Sequence, residues 1–411
     1  MPNTAKQDKP MQRNLLPMLM AMVLLSPLAI DIYLPSLPTM AAEFSVSNSE
    51  VQSTLILFLF SMGLGQVIIG PLADRFGRRP VALFGIVLYG LSSVLAAMAH
   101  QFEWLQIARV LQGLAACSTS IVVFSAVRDC YSTKDSAKIY SYLNGAICVI
   151  PALAPTLGGV LALHFGWRST FVFMTCYAIL MLCVVAFRLP ETRPANTISD
   201  GALYRWARYK PVLMDRHFMF YAICCMTGMG AILTYVSYSP VWLIGKLGMS
   251  ELAFSGLFGV NALVNIAGCF GAPWVIKKLG NRPTVILAFA LFIVSALLEF
   301  GAQLLNFQTP IYAAAGFMLP MALLCIGFAF LLGPATSMAL AGFGERAGTA
   351  AAMLGFIQMS GASLLAGLIQ QTSLTAPFAV IAVMGGGSVI LLAVMSMKRM
   401  NAWHVERLAQ D

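Results

Sequence analysis

Two charged residues lie inside stretches of sequence that are otherwise apolar enough to cross a membrane. Asp31 interrupts the run LAIDIYLP, and Arg109 opens the run RVLQG. A charge inside a bilayer is costly unless it is paired, hydrated or neutralised, so such residues are functional candidates by default. A carboxyl group can bind and release a proton there, whereas a guanidinium stays charged and needs an anion. Asp31 is therefore predicted to carry protons, with Arg109 as its ion-pair partner.

Each of these charges also has a structural alternative. Pro35 and Pro38 follow Asp31 closely, so Asp31 could instead cap or hydrate a helix that ends at the membrane surface. Arg109 could extend its guanidinium to the interface. Glu299 is the second acid within an apolar run. Because it lies near the end of that run, we expect it to be exposed at the interface rather than to form a second proton site.

The ten residues 70–79, GPLADRFGRR, form a short charged break between two long apolar runs. Glycines permit a sharp reversal, and the arginines place this turn on the cytoplasmic surface. Asp74 is an acid on a basic face, where its carboxylate could dock on the positive N-terminal end of another helix. The alternative is a solvated turn whose charges only set topology. We expect a gating motif formed by Gly70, Asp74, Arg75, Gly77, Arg78 and Arg79.

Residues 145–159, GAICVIPALAPTLGG, combine prolines with paired glycines in the fifth apolar run. Pro151 and Pro155 each remove a backbone hydrogen bond, and Gly158 and Gly159 permit close packing. We expect this helix to bend and to press against a neighbour. A role in packing alone is the alternative.

Membrane helices must position these residues. The chain has 411 residues, of which 59% are hydrophobic and only 10% are charged, against roughly 25% charged in soluble domains. The net charge of +9 comes from bases in short loops, which argues against nucleic-acid binding. No phosphate-binding loop, catalytic triad or metal-ligand spacing occurs, so we expect a protein that is not an enzyme and holds no metal or cofactor. The nine cysteines are expected to be free thiols.

Apolar runs predict twelve helices, and the positive-inside rule orients them. The first run is preceded by bases like a secretory signal, but many further runs follow, so we expect an uncleaved membrane helix. With the N-terminus inside, 22 of the 25 lysines and arginines fall on one side, which predicts cytoplasmic termini. The helix limits are 14–36, 51–72, 80–99, 104–127, 137–162, 167–189, 218–244, 251–275, 284–304, 310–340, 347–370 and 375–397.

The chain divides into two halves that carry a weak internal repeat. Residues 190–217 are the longest polar stretch and separate a predicted N-terminal six-helix bundle, 1–189, from a C-terminal one, 218–411. Shifted by 203 residues, the sequence GRRP at 77–80 meets GNRP at 280–283, while Asp74 meets Lys277. Such parallel repeats place a substrate site between the halves near the middle of the membrane.

The sequence resembles the major facilitator superfamily, and within it the drug:proton antiporters of the Bcr/CflA group. GPLADRFGRR is similar to the loop between the second and third helices of that superfamily. RVLQG resembles the fourth-helix RxxQG pattern of drug:proton antiporters. PALAPTLGG partly resembles their fifth-helix motif, with Ala154 where the family has glycine. The segments AIDIYLPSLP and LPETRP complete the resemblance.

The resemblance implies an all-α membrane protein with the major facilitator fold, twelve transmembrane helices in two six-helix pseudo-repeats. It implies that the acid at Asp74 faces the start of the eleventh helix, near Ala347–Ala350, and latches the cytoplasmic side shut. It also ties Arg109 to proton coupling. It implies proton-driven efflux of lipophilic drugs, of the multidrug or phenicol and bicyclomycin type, by a monomer in the bacterial inner membrane. No cofactor is needed, because the proton gradient drives transport.

Few polar residues are available to line a substrate cavity, which favours lipophilic cargo. Each could equally form a helix–helix hydrogen bond. An exporter or proton symporter of a small metabolite, such as a sugar or an amino-acid derivative, is the alternative on the same fold, and a sensor or scaffold that transports nothing is a more distant one. The candidate substrate contacts are Tyr33, Gln52, Gln112, Tyr142, Asn144, Tyr235, Tyr238, Asn261, Asn265 and Gln358.

Overall fold

The chain is almost entirely helical in the computed structural model, which describes residues 9–131, 133–194, 206–305, 307–343, 346–372 and 374–397. In these residues, twelve helices are long and apolar enough to cross a membrane. The end of the helical bundle that carries residues 70–79 is called the motif end below, and the opposite end is called the far end.

The first six of these helices end before residue 190. The helix α1 has four consecutive segments, and α2 to α6 are continuous helices joined by short turns. Their bounds are α1 Lys9–Val23, Leu25–Asp31, Leu34–Ser36 and Leu37–Phe44; α2 Asn48–Phe76; α3 Arg78–Ala97; α4 Phe102–Cys130; α5 Thr133–Phe165; and α6 Arg168–Arg188.

The second six helices begin after a short connecting helix, Trp206–Leu213, that packs against the start of α11. Three of them contain a wider π-helical turn. Their bounds are α7 Arg216–Pro240 and Val241–Lys246; α8 Glu251–Leu279; α9 Asn281–Leu305; α10 Pro310–Leu340; α11 Ala347–Phe356, Ile357–Gly361 and Ala362–Gln370; and α12 Ala376–Ile381, Ala382–Gly386 and Gly387–Ser396.

Local sequence explains where several helices begin. Ser47 accepts a hydrogen bond from the backbone N–H of Glu50, whose carboxylate accepts one from Ser47 in return, a reciprocal cap for α2. Asp215 caps α7 and Ser250 caps α8 in one direction only, through side-chain oxygens that accept hydrogen bonds from the backbone N–H groups of Phe218 and Ala253. These contacts satisfy N–H groups that have no partner within the helix.

Packing between helices is densest within each set of six. The helix α4 packs against α2 and α3, and α10 packs against α7, α8 and α9. Across the two sets, α5 packs along α8 and α2 packs along α11. The cavity described below lies between these two cross-contacts.

The predicted helix limits agree with the structure to within four residues, except at the two ends of α1, which begins at Lys9 instead of residue 14. The prediction ended that helix at residue 36, but helical segments continue to Phe44. Pro35 and Pro38 lie in the first turns of new segments, where a missing N–H costs nothing. Of the predicted linker 190–217, residues 195–205 lie outside the described part of the chain.

Candidate functional site

Asp31 lies at a break in the middle of α1. It ends the segment Leu25–Asp31, and the helix resumes as a short turn at Leu34–Ser36. Because α1 continues to Phe44, Asp31 lies more than three helical turns before the end of the span. The alternative that Asp31 caps a helix end at the interface is therefore wrong.

A cavity of about 690 Å³ opens beside Asp31. Both sets of helices contribute to its walls, and most of the lining side chains are apolar. Asp31 and Asp74 are the only acids among the described residues that line it. The Asp31 side chain contributes little exposed surface, since the residue is 4% exposed. Asp31 is thus a buried carboxyl group at the wall of a cavity large enough for a drug-sized molecule.

The cavity extends to the motif end and is closed at the far end. Its lining includes Asp74, Arg78 and Arg128 at the motif end. At the far end, several hydrogen bonds join the two sets of helices, including one of 3.2 Å from the Ser49 hydroxyl to the carbonyl of Gln370. Gln370 donates to Gln52 over 3.0 Å, Ser255 donates to the carbonyl of Pro155 over 3.0 Å, and Thr39 donates to Glu251 over 3.4 Å.

Arg109 is fully buried and binds the backbone of α1 beside the break. Its guanidinium donates to the carbonyl of Ala29 over 3.0 Å and to the carbonyl of Thr54 over 3.4 Å. Ala29 lies in the last turn before the break, where carbonyls lack a partner within the helix. The rings of Tyr33 and Phe58 lie 4.6 and 4.4 Å from the guanidinium carbon, and Gln112 accepts a further hydrogen bond.

The predicted ion pair between Asp31 and Arg109 is not formed. Among the described residues, no salt bridge or hydrogen bond joins the two side chains. Arg109 instead binds a carbonyl two residues before Asp31. The contact of Arg109 with this part of α1 is therefore with the backbone and not with the Asp31 side chain. Sequence could not show this, because every residue type carries a carbonyl.

The glycines of α5 lie against the same break. A Cβ atom on Gly158 would overlap the carbonyl of Ile32, so only glycine permits this approach of α5 to α1. Gly159 faces Ser255 of α8. Pro151 lines the cavity, and the carbonyl of Pro155 accepts the hydrogen bond from Ser255. Arg109 and Gly158 thus contact the backbone of α1 at Ala29 and Ile32, on either side of Asp31.

At the motif end, Arg78 is the centre of a charge cluster. It donates to Asp74 over 2.7 Å and to Asp129 over 3.0 Å. Asp129 was not predicted from sequence, although it lies beside Arg128 in the last turn of α4. The helix α2 ends before Gly77, which has a φ of 103°, and α3 begins at Arg78. Arg78 is only 2% exposed.

Glu191, in the segment that follows α6, stabilises this turn through hydrogen bonds. Its carboxylate accepts hydrogen bonds from the backbone N–H groups of Arg78, Arg79 and Arg193 at 2.8, 3.3 and 2.9 Å. Partial burial raises the pKa of the Glu191 carboxyl, but these donors outweigh it and leave the pKa below its ordinary value. A further brace comes from Arg193, which donates to the carbonyl of Asp74 over 3.2 Å.

The contact implied between Asp74 and Ala347–Ala350 is not made in this conformation. Asp74 pairs with Arg78 on its own side of the cavity, and among the described residues no hydrogen bond joins it to that segment. Thr349 instead accepts a hydrogen bond of 2.8 Å from Arg208 of the connecting helix. An open motif end explains this, since Asp74 and Thr349 both line the cavity.

Two of the ten candidate substrate contacts, Tyr235 and Asn265, line the cavity. The other eight do not. Tyr33, Gln52 and Gln112 are buried and form hydrogen bonds between helices. Asn261 donates to Tyr235 over 3.2 Å, Tyr238 is buried, and Gln358 lies in the π-helical turn of α11. Tyr142 and Asn144 are exposed on α5. Sequence reasoning missed other lining residues, among them Gln66, Tyr140, Phe258 and Phe328.

Glu299 is fully buried, so the predicted exposure at the interface is wrong. It accepts a hydrogen bond of 2.8 Å from Gln303 one turn later and does not line the cavity. Phe292, Ser295 and Ala296 are buried on the same face of α9. Their spacing from Glu299 is helical, and this periodicity was the signal in the sequence that could have predicted its burial.

Residues 19–366 match the family model of the Major Facilitator Superfamily. The chain is similar to the "Multidrug resistance protein MdtL" of Klebsiella pneumoniae, with 31% identity over 95% of this chain and 98% of the relative. It is similar to the protein of the same name from Escherichia coli, with 33% identity over 84% of this chain and 85% of the relative.

The fold is similar to that of two solved transporters. A bacterial homologue of the human lysosomal transporter Spinster, in an inward-facing and unoccupied conformation, has a TM-score of 0.71 at 16% identity and covers 94% of this chain and 96% of its own. A D-xylose–proton symporter has a TM-score of 0.70 at 18% identity and covers 92% and 97%. These likenesses confirm the predicted twelve-helix fold.

Proposed function

Because the chain belongs to the Major Facilitator Superfamily, we propose that it exports lipophilic drugs in exchange for protons by alternating access. The observation that carries this proposal is Asp31, a buried carboxyl group in the middle of a span at the wall of the cavity. The relatives named as multidrug resistance proteins support drugs as the cargo.

Asp31 is the proposed proton carrier. A carboxylate away from water is costly unless a cation or water offsets its charge. In the open cavity, water can offset that charge, and Asp31 releases its proton as cargo enters. When the opposite end opens, Asp31 binds a new proton, cargo leaves, and the carrier resets. The proton gradient drives the cycle, without a cofactor or an enzymatic reaction.

Arg109 and Gly158 have positioning roles in this proposal. Arg109 binds the carbonyl of Ala29 over 3.0 Å, and Gly158 lies against the carbonyl of Ile32. These contacts define where α1 breaks, and hence where the Asp31 carboxyl group lies in the wall. A change in the charge of Asp31 can then alter the packing of α1 against α4 and α5.

The cavity itself supports a lipophilic cargo. Its volume of about 690 Å³ is within the range of pockets that hold drug-sized molecules, roughly 300–1,000 Å³. Aromatic and apolar side chains from both sets of helices line it, including Phe124, Phe258 and Phe328. Tyr235, stacked on Phe258 with ring centroids 5.6 Å apart, and Asn265 are the proposed polar contacts.

The proposed topology places the motif end in the bacterial cytoplasm. Arg78, Arg128 and Arg208 all line that end of the cavity, as the positive-inside rule requires of a cytoplasmic surface. Both termini are then cytoplasmic, and the protein acts as a monomer in the inner membrane. The halves are the bundles 1–189 and 218–411, which rock about the site while the segment 190–217 joins them.

The test compares Asp31→Asn with wild type in proteoliposomes that contain a pH-sensitive dye. Ethidium and chloramphenicol serve as the drug probes, and proton movement and drug uptake are recorded together. We expect the wild type to couple the two in opposite directions, and the variant to fold normally but to lose this exchange. Glu299→Gln, which also neutralises a buried acid, is the matched control and should retain exchange.

Two results would contradict the proposal. Undiminished exchange by Asp31→Asn would remove Asp31 from the coupling chemistry. Proton and cargo movement in the same direction would identify a symporter instead, which is the alternative that the sequence leaves open.

A further inference from the structure

Arg208 is the one charged side chain that the second set of helices and its connecting helix contribute to the described lining of the cavity. It lies in the helix Trp206–Leu213, which packs against the start of α11. Its Nε donates to Thr349 of α11 over 2.8 Å. Arg208 is thereby fixed to the second half at the motif end, with its guanidinium at the cavity.

Asp74 is the matching charge on the other wall. It is the only acid that the described residues contribute to the cavity at the motif end, since Asp31 lies deep in the membrane. Its side chain is 35% exposed even while it binds Arg78. Arg78 is held by Asp129 as well, over 3.0 Å, so Arg78 keeps one carboxylate if Asp74 turns to another partner.

Closure of the motif end must bring these two walls together. The walls then present Asp74 of the first half to Arg208 of the second, while Arg78 and the exposed Arg128 share Asp129 at 3.0 and 3.6 Å. As water leaves the narrowing mouth, an unpaired Arg208 would be costly, and attraction between the opposite charges would strengthen. Electrostatics therefore favours contact of Arg208 with the carboxylate of Asp74 and opposes its approach to Arg128, which carries the same charge.

We infer that Arg208 is a gating residue, and that its guanidinium pairs with the carboxylate of Asp74 across the mouth when the motif end closes. The resemblance to the family implied only a contact between Asp74 and the start of α11. Here the connecting helix supplies the partner, and Thr349 holds that partner in place. This inference rests on the proposed alternating access, but not on the identity of the cargo.

The test measures how often the motif end is closed, without any cargo. Cys148 lines the cavity and reacts with a membrane-impermeant maleimide added at the far end only while the motif end is closed. The rate of Cys148 labelling is measured by peptide mass spectrometry in right-side-out vesicles. Labelling from the motif end in inside-out vesicles shows that Cys148 remains reactive in each variant.

We expect Arg208→Gln to slow labelling from the far end by roughly three- to fivefold, the effect of one partly exposed ion pair. Asp74→Asn should slow it less, because it also removes the bond to Arg78 that Asp74 makes while the motif end is open. Adding Arg208→Gln to Asp74→Asn should slow labelling no further, because the contact between the two residues is already lost. Lys210→Gln removes a charge from the same short helix away from the cavity, and it should label like the wild type. Thr349→Val, which keeps the charge of Arg208, should have a smaller effect.

Three outcomes would overturn the inference. Labelling of Arg208→Gln at the wild-type rate, with Asp74→Asn slowed, would show that Asp74 acts on α11 itself. Additive effects in the double variant would show that the two charges act separately. If labelling were slowed in Arg346→Gln but unchanged in Arg208→Gln, the partner of Asp74 would be Arg346, which lies at the N-cap position of α11. Failure of drug export alone would leave these labelling rates unchanged and would bear only on the proposed function.

Discussion

The turns at Gly77 and Gly280 have the same backbone design in the two halves of the molecule. Both glycines have positive φ, 103° and 87°, and each is followed at once by a helix. Two residues later, Arg79 donates to the carbonyl of Ala186 over 2.7 Å, and Arg282 donates to that of Met395 over 3.1 Å. Each arginine thus ties its turn to the last turn of the sixth helix of its own half.

The charges around these two turns differ. Arg78 bridges Asp74 and Asp129 at the first turn, and Glu191 braces it. At the second turn, the equivalent positions hold Lys277 and Asn281. The turn therefore needs its glycine and the arginine two residues later, because both features occur in each half. Asp74, Asp129 and Glu191 occur only at the first turn, so acids are not needed to form the turn and are available for a gate on one side of the cavity.

The largest difference between the turns should appear on replacing Arg78. Arg78→Gln removes the cation that Asp74 and the nearly buried Asp129 share, and it leaves Asp129 only the longer contact with the exposed Arg128. Removing one partner of a buried ion pair costs about 3 kcal/mol or more. Asn281→Gln, at the equivalent position, should change the free energy of unfolding by less than about 0.5 kcal/mol. Thermal unfolding of the purified variants in detergent measures both. Equal unfolding temperatures would mean that the acid cluster contributes nothing to stability.

The glycines themselves should be the next most sensitive positions. With positive φ and ψ of 158° and 171°, both occupy a region that costs other residues roughly 1–3 kcal/mol. Gly77→Ala should cost more than Gly280→Ala, since its Cβ would contact Glu191, whereas at Gly280 the nearest atom is Pro283 at 3.9 Å. Unfolding measurements on both variants, with Gly70→Ala as a control in open space, test the order. A larger loss at Gly280 would refute it.

The repeat in the sequence predicted these paired turns, but not what surrounds them. Alignment of 77–80 with 280–283 identified both glycines and both arginines, because these residues are local to the turn. Asp129 was missed because the cluster depends on the packing of α4 beside α2, which no spacing reveals. The partner of Arg109 was missed for a related reason, since it is a backbone carbonyl beside a break within α1. The sequence predicted that Pro35 and Pro38 end this helix, so no break inside it was expected.

Arg79 and Arg282 should be equally important if their shared contact is structural. Each donates to a carbonyl near a helix end, and the loss of that bond in Arg79→Gln and in Arg282→Gln should lower the free energy of unfolding by about 1 kcal/mol. Neither should change the rate of drug exchange by more than about twofold, because neither lines the cavity. Arg79 would then stabilise the turn without taking part in the gate that its motif predicts. The two unfolding midpoints, measured side by side, check the prediction. A loss confined to Arg79→Gln would show that the two turns do not share this contact.

The smallest effect should come from Glu191, which has no counterpart at the second turn. Its pKa is lower in the folded protein than its ordinary value, so its contribution to stability is complete above that ordinary value, about 4.3, and disappears as the pH falls through the folded pKa. Glu191→Gln should therefore unfold at a slightly lower temperature than the wild type at pH 7, by roughly 2 °C or less. The two midpoints should converge as the pH falls below the folded pKa of Glu191. A gap that widens on acidification would mean that the carboxylate is not what braces the first turn.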